Sequence, residues 1–223
     1  MQTKTALLIG ATGLIGSDLL NLLLESPRYV KVVVLVRRPL DIKHEKLDER
    51  IIDFNNLENE QINFQIDDVY SCLGTTIKRA KSKDLMRKVD VEYPLILANL
   101  TKKLGAKHFL LVSALGANAK STIFYSRIKG ELEEELQKIG FQTVSIFRPS
   151  LLLGNRQEFR LGEKTAELTF FLLPFLFKGP LKRYKAIHSQ TVAMAMLKVS
   201  EKSQQGTFIY SSVDMETLKQ SVL

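Results

Sequence analysis

Two hydrophobic rhythms alternate along the chain. Short apolar runs recur at Ala6–Ile9, Val32–Val36, Arg50–Phe54, Val69–Leu73, His108–Ser113, Thr143–Phe147 and Thr207–Tyr210. Several of these runs are continuous rather than alternating, as expected for strands covered on both faces. Between them lie stretches with helical spacing at Leu14–Glu25, Lys83–Leu104, Thr122–Ile139, Gln190–Glu201 and Met215–Ser221. Strand–helix alternation of this kind predicts an α/β fold, a doubly wound parallel sheet. Pro94 falls inside the second helical stretch, so a kink is expected there, or a fresh start near Asp90.

The first strand runs into Gly10-Ala11-Thr12-Gly13-Leu14-Ile15-Gly16, and a leucine-rich helix follows. Glycine permits the tight turn and lets the backbone come close to a pyrophosphate. The helix start adds free N–H groups and the positive end of its dipole. Gly10, Thr12, Gly13, Leu14, Ile15 and Gly16 are therefore expected to bind a dinucleotide, as in a Rossmann domain. An ordinary glycine-rich turn is the plain alternative.

The second strand ends in Arg37-Arg38-Pro39, with no acid before Asp41. An acidic residue about 20 positions beyond the glycines would bind the ribose hydroxyls of NAD. A guanidinium instead grips a 2′-phosphate in a bidentate fork. Arg37 and Arg38 thus favour NADP(H), the alternative being a pair of exposed loop arginines. Asp53 and Phe54, at the end of the third run, either meet the adenine edge or simply close a strand. Leu73, Gly74 and Thr75 lie at the end of the fourth run, where Gly74 would let the backbone pass close to the second ribose. Cys72 beside them reads as a core thiol, with no histidine near it in sequence.

Tyr125 and Lys129 stand four residues apart at the start of a predicted helix, which puts them on one face. An ammonium beside a phenol favours the phenolate, making Tyr125 a candidate general acid for a carbonyl oxygen. Lys129 would also hold the nicotinamide ribose. Ser113 ends the fifth strand, where its hydroxyl would stabilise negative charge developing on that oxygen. The alternative is a surface tyrosine beside a surface lysine.

In order and content these motifs resemble the short-chain dehydrogenase/reductase superfamily, in its atypical or extended branch. More narrowly, the chain is similar to the Tat-interacting oxidoreductase family. The resemblance rests on Gly10–Gly16, Cys72–Thr76, Lys107-His108-Phe109, Ser113 with Gly116-Ala117, and Tyr125 with Lys129-Gly130-Glu131. It continues through Phe147-Arg148-Pro149 and Arg156-Gln157-Glu158 with Arg160 and Gly162-Glu163. It implies NADPH binding, a Ser113/Tyr125/Lys129 active site, and Pro149 beside the nicotinamide. Partner-binding regulators also belong to that family, so it admits a second function, an NADP(H)-sensing interaction protein with little turnover. Many superfamily members carry an asparagine where Asp90 stands, so an Asn-assisted proton relay is not expected here. Asn99 lies too far along the helix to replace it.

The chain of 223 residues is 45% hydrophobic, in keeping with a single domain over residues 1–223. The alternation lapses from about Gly154 to Arg183, which reads as a small C-terminal lobe at about 154–185 over the cofactor cleft. Only about 70 residues follow Gly154, little for a full sugar-nucleotide domain, which weakens an epimerase or dehydratase reading. Leu168–Phe177 is too short to span a bilayer. It forms a buried helix, a wall of an apolar substrate pocket or a membrane-contacting patch. Arg156, Gln157, Glu158 and Arg160 either line the cleft or make a salt-bridged loop. The net charge is +8, but basic residues interleave with acids, so nucleic acid is not the expected partner. The single cysteine and the absence of a leader pattern point to the cytoplasm. His44, His108 and His188 are scattered, so no metal site is expected. His188 precedes a helix expected to be capped by Ser189. The expected substrate is a carbonyl compound, apolar if the phenylalanine-rich segment lines its pocket. A protein partner remains open.

Overall fold

Ala6, Leu7, Leu8 and Ile9 are all fully buried, which a strand achieves only between two layers. In the computed structural model, which describes residues 4–60, 64–154 and 185–220, their strand is an interior strand, third in a seven-stranded sheet. The strands are β1 (Lys4–Ile9), β2 (Tyr29–Val36), β3 (Leu47–Ile51), β4 (Asp68–Ser71), β5 (His108–Val112), β6 (Thr143–Arg148) and, last in the chain, β9 (Gly206–Ser211). Their order is β3-β2-β1-β4-β5-β6-β9, and every pairing is parallel. Two-residue strands β7 (Leu152–Leu153) and β8 (Ile187–His188) pair separately.

The pleat sends alternate residues to opposite layers. Ala6 and Leu8 join a core with α1 (Leu14–Glu25) and α6 (Ser189–Ser200), against which α7 (Ser212–Gln220) also packs. Leu7 and Ile9 join a second core with α4 (Tyr93–Lys103) and α5 (Phe124–Lys138). Short helices α2 (Ile77–Ala80) and α3 (Lys83–Arg87) lead into α4. The doubly wound sheet expected from the alternation is the one observed.

Pro94 has the local effect its chemistry requires. Its ring excludes the carbonyl four residues back, and α3 passes through a π-turn at Lys88–Glu92 before α4 begins. The wider turn places Asp90 in the interior, with no exposed surface.

Several boundaries differ from expectation, three of them at places that bear on the site. β3 lies at Leu47–Ile51 rather than Arg50–Phe54. It is an edge strand with polar residues, so an apolar run does not mark it. Asp53 closes no strand; its side chain accepts from the Asn55 N–H and caps a 3-10 turn at Phe54–Asn59. At α6, Ser189 is the first helical residue and His188 takes the cap position without a side-chain bond. The lobe expected at about 154–185 and the apolar stretch Leu168–Phe177 lie almost wholly outside the described residues, as do Arg156, Gln157, Glu158 and Arg160.

A polar cluster occupies the N-terminal ends of the strands. Tyr29 donates to Asp68 at 2.8 Å, and Lys4 reaches the same carboxylate at 3.2 Å. His108 and Ser145 share a 2.8 Å bond beside it. With that edge closed, the loops that carry the candidate site leave from the C-terminal edge, as in other open α/β sheets.

Candidate active site

The glycine turn is built for close backbone approach. Gly10 adopts φ +82°, and a Cβ there would lie 2.6 Å from the Cys72 carbonyl carbon and oxygen. A Cβ on Gly16 would lie 2.1 Å from the Gly10 carbonyl oxygen. Gly13 donates to that same oxygen at 2.9 Å and caps α1. No side chain caps α1 and its first turn holds no acid, so its amide donors face outward unclaimed by a carboxylate. A pyrophosphate is the group such a cradle fits. Thr12 and Gly13 are exposed at the turn, and Ile15 is buried behind it.

Arg37 and Arg38 emerge exposed from the end of β2. Asp53 and Arg37 both act electrostatically on Tyr93. Burial first, then the Asp53 charge, push its hydroxyl above the usual range, and Arg37 opposes them. The Phe54 and Tyr93 rings lie 5.4 Å apart, and the Tyr93 hydroxyl donates to Asn55 at 3.0 Å. Phe54 is therefore a core side chain at this corner. Tyr93 and Asn55 join it, though no motif marked them.

α5 carries a stripe of functional groups. Tyr125, Lys129 and Glu133 repeat every four residues along it. Tyr125 is half-buried, whereas Lys129 and Glu133 are buried. The Lys129 ammonium sits 2.8 Å from Asp90 and 6.0 Å from the centre of the Tyr125 ring. The other Asp90 oxygen accepts the Thr75 N–H at 2.9 Å. One carboxylate thus ties the loop after β4 to the helix that carries Tyr125. Gly130 lets α5 lie tightly on the preceding loop; a Cβ there would be 2.1 Å from the Ala119 nitrogen.

The Ser113 hydroxyl has a partner within the protein. It donates to Glu133, whose carboxylate also accepts from the Arg148 Nε at 3.0 Å and from a second Arg148 nitrogen. Ser113 therefore joins a Ser113–Glu133–Arg148 cluster. Its own N–H donates to Phe147, and Pro149 accepts from Leu115 at 2.9 Å, which locks the ends of β5 and β6 together. Glu133 escaped the motif search; its one sequence signal is the extension of the Tyr125/Lys129 spacing by another turn.

Leu73 is half-buried against the core, and Gly74 is exposed beside Asp90. Burial pushes the Cys72 thiol up to about 12, which disfavours the thiolate that a nucleophile needs. The Asn99 side chain donates to the Leu95 carbonyl of its own helix. Among the described residues, no group of acids, histidines and cysteines is arranged to hold a metal ion. Nor is any helix there long and apolar enough to cross a membrane.

Residues 10–168 match a family described as NAD(P)H-binding. The chain belongs to that family. Among its relatives, protein HTATIP2 of Rattus norvegicus is 38% identical over 178 residues, 78% of this chain and 73% of the relative. Protein FMP52, mitochondrial, of Candida albicans is 36% identical over 166 residues, 72% of each chain. The Tat-interacting resemblance is borne out by the first of these. Solved structures confirm the fold. UDP-glucose 4-epimerase from Thermotoga maritima superposes with a TM-score of 0.68 at 16% identity, covering 97% of this chain and 82% of its own. A short chain dehydrogenase family protein from Francisella tularensis gives 0.65 at 14% identity, covering 94% and 96%. This member of the NAD(P)H-binding family thus has the Rossmann-like fold expected from its sequence.

Proposed function

We propose that the protein is an NADPH-dependent reductase of a small carbonyl substrate, with Tyr125 and Lys129 at its centre. The observation that supports this best is the placement of Lys129. Its cation is held in the interior between Asp90 and the Tyr125 ring. A family that only cradles a dinucleotide has no need of a buried lysine beside a phenol.

Gly10, Gly13 and Gly16 would hold the pyrophosphate, and Arg37 and Arg38 the 2′-phosphate, with Asp53 and Phe54 toward the adenine. Leu73, Gly74, Thr75 and Pro149 would flank the second ribose and nicotinamide. Bound NADPH supplies a hydride. Tyr125 delivers a proton to the carbonyl oxygen, and Lys129 orients the ribose and stabilises the negative charge left on the phenolate. Ser113 assists only when its hydroxyl turns from Glu133 to the carbonyl oxygen. The carboxylate keeps its Arg148 bonds when it does so.

The same Ser113–Glu133 bond favours a second reading. A protein that leaves its serine engaged by a carboxylate is also suited to sensing NADP(H) and presenting that state to a protein partner, with little turnover. The cytoplasm is the proposed compartment, on the strength of one shielded thiol. Because several relatives are named mitochondrial, cell fractionation is the check.

Titration with NADPH and NADH, followed by a carbonyl panel read by cofactor absorbance, separates the two functions. A reductase consumes NADPH with at least one carbonyl, and Tyr125→Phe abolishes turnover while keeping cofactor affinity. Full turnover in that variant refutes the assignment. Tight NADPH binding with no turnover on any carbonyl favours the sensor.

A further inference from the structure

Beside Tyr125 the surface opens into a cavity of about 370 Å³. Thr75 and Ile77 line one side, Met86 of α3 another, and Ile123 and Phe124 the start of α5. Two polar groups of these walls are engaged elsewhere. The Thr75 N–H goes to Asp90, and the Thr76 hydroxyl accepts from Arg79 to cap α2. The Lys83 ammonium lies 5.5 Å from the Phe124 ring, so its aliphatic stem covers the aromatic wall. Ile77, Met86, Ile123 and Phe124 make the rest of the lining hydrocarbon. Met86 is buried at 5% exposure, yet Ile77 and Ile123 keep 51% and 65% of their surface open. Isoleucines bordering a concave apolar wall at such exposure call for an occupant.

We infer that this groove takes the hydrocarbon arm of the substrate whose carbonyl meets Tyr125. The substrate class is an aldehyde or ketone with an extended aliphatic arm. This rests on the reductase reading and adds the specificity element to it. Tyr125 lines the same cavity, so an arm lying along Ile123 and Phe124 starts beside it. The volume accommodates on the order of ten methylene-sized groups, which suits a medium-length chain. Ile77, Met86, Ile123 and Phe124 set the preference for chain length.

The test uses the full chain with 13C-labelled isoleucine methyl groups, titrated with 1-octanol and 1-butanol in the presence and absence of NADPH. Octanol is expected to shift the Ile77 and Ile123 methyl signals at concentrations at least tenfold below those butanol requires. In turnover, kcat/KM should rise about two- to fourfold per added methylene from butanal to octanal. Ile123→Asp should lower the octanal-to-butanal ratio of kcat/KM about tenfold. Silent methyls at Ile77 and Ile123, or equal shifts at every isoleucine, overturn the groove. So does a shift of those two signals with protein concentration alone, which marks a second copy as the occupant. The two readings fail separately. Methyl shifts without aldehyde consumption keep the groove and sink the reductase. Aldehyde consumption indifferent to chain length, with silent methyls, does the reverse.

Discussion

Asp90 and Lys129 meet at 2.8 Å in the protein interior, with the carboxylate fully buried and the lysine side chain 2% exposed. Removing one partner of such a pair leaves an uncompensated charge. Asp90→Ala is expected to cost about 3–5 kcal/mol in urea unfolding. Asp90→Asn should cost less, because an amide oxygen still accepts the Thr75 N–H. The double variant Asp90→Asn/Lys129→Met should recover part of the loss, with a coupling energy above about 1 kcal/mol. Strictly additive losses would show that the two charges do not depend on each other.

Glu133 serves two clients, Ser113 and Arg148. Glu133→Ala strands a partly buried guanidinium and a buried hydroxyl, and a loss of about 2–4 kcal/mol is expected in the same assay. Ser113→Ala removes only one neutral donor and should cost about 1 kcal/mol. A Ser113→Ala loss equal to that of Glu133→Ala would place the weight of the cluster on the serine.

His108 gives the fold a pH dependence of definite sign. Burial lowers its folded value from 6.5 to about 4. The unfolded chain then binds more protons between those limits, so stability is complete above about pH 6.5 and falls toward pH 4. The loss attributable to His108 is at most about 3 kcal/mol. Urea midpoints measured from pH 7 to 4.5 should show the decline, and His108→Gln should flatten it. An unchanged slope in that variant would assign it to carboxylates instead.

Two glycine-to-alanine changes separate crowding from conformation. Gly16→Ala puts a methyl group into the Gly10 carbonyl and is expected to abolish NADPH binding. Gly140 has φ +80°, but a Cβ there meets nothing within 4 Å. Gly140→Ala should cost about 1 kcal/mol in stability and leave the NADPH dissociation constant unchanged. Equilibrium dialysis with NADPH reads both.

Arg37→Asp sets a carboxylate where the 2′-phosphate is proposed to lie. NADPH affinity should fall about tenfold or more while NADH affinity holds or rises. An unchanged ratio of the two affinities would remove Arg37 from cofactor selection.

The sheet was legible because its central strands are covered on both faces, which leaves little but apolar residues at Ala6–Ile9 and Val32–Val36. β3 was not, since an edge strand tolerates Asp48, Glu49 and Arg50. The turn at Gly10–Gly16 was readable because its sterics admit few alternatives to glycine. Ser113 was read by its position at a strand end, but its partner depends on Glu133 and Arg148, which are distant in sequence. Ion pairs of that kind leave no periodic trace. Asp90 was noticed as a departure from a pattern; that it pairs with Lys129 became visible only once the π-turn had turned it inward.

That π-turn also sets a rule for the length of the chain. Met86, Asp90 and Pro94 are all buried and spaced by four. On a regular α-helix each step of four drifts about 40° around the axis. The slacker winding at Lys88–Glu92 absorbs the drift and keeps the groove floor, the carboxylate and the start of α4 in phase. Losing one residue between Met86 and Pro94 would swing everything upstream by about 100° relative to α4. A deletion here should be far less tolerable than any substitution except at Asp90 itself, and homologous chains that function alike should keep this spacing even where the residues change.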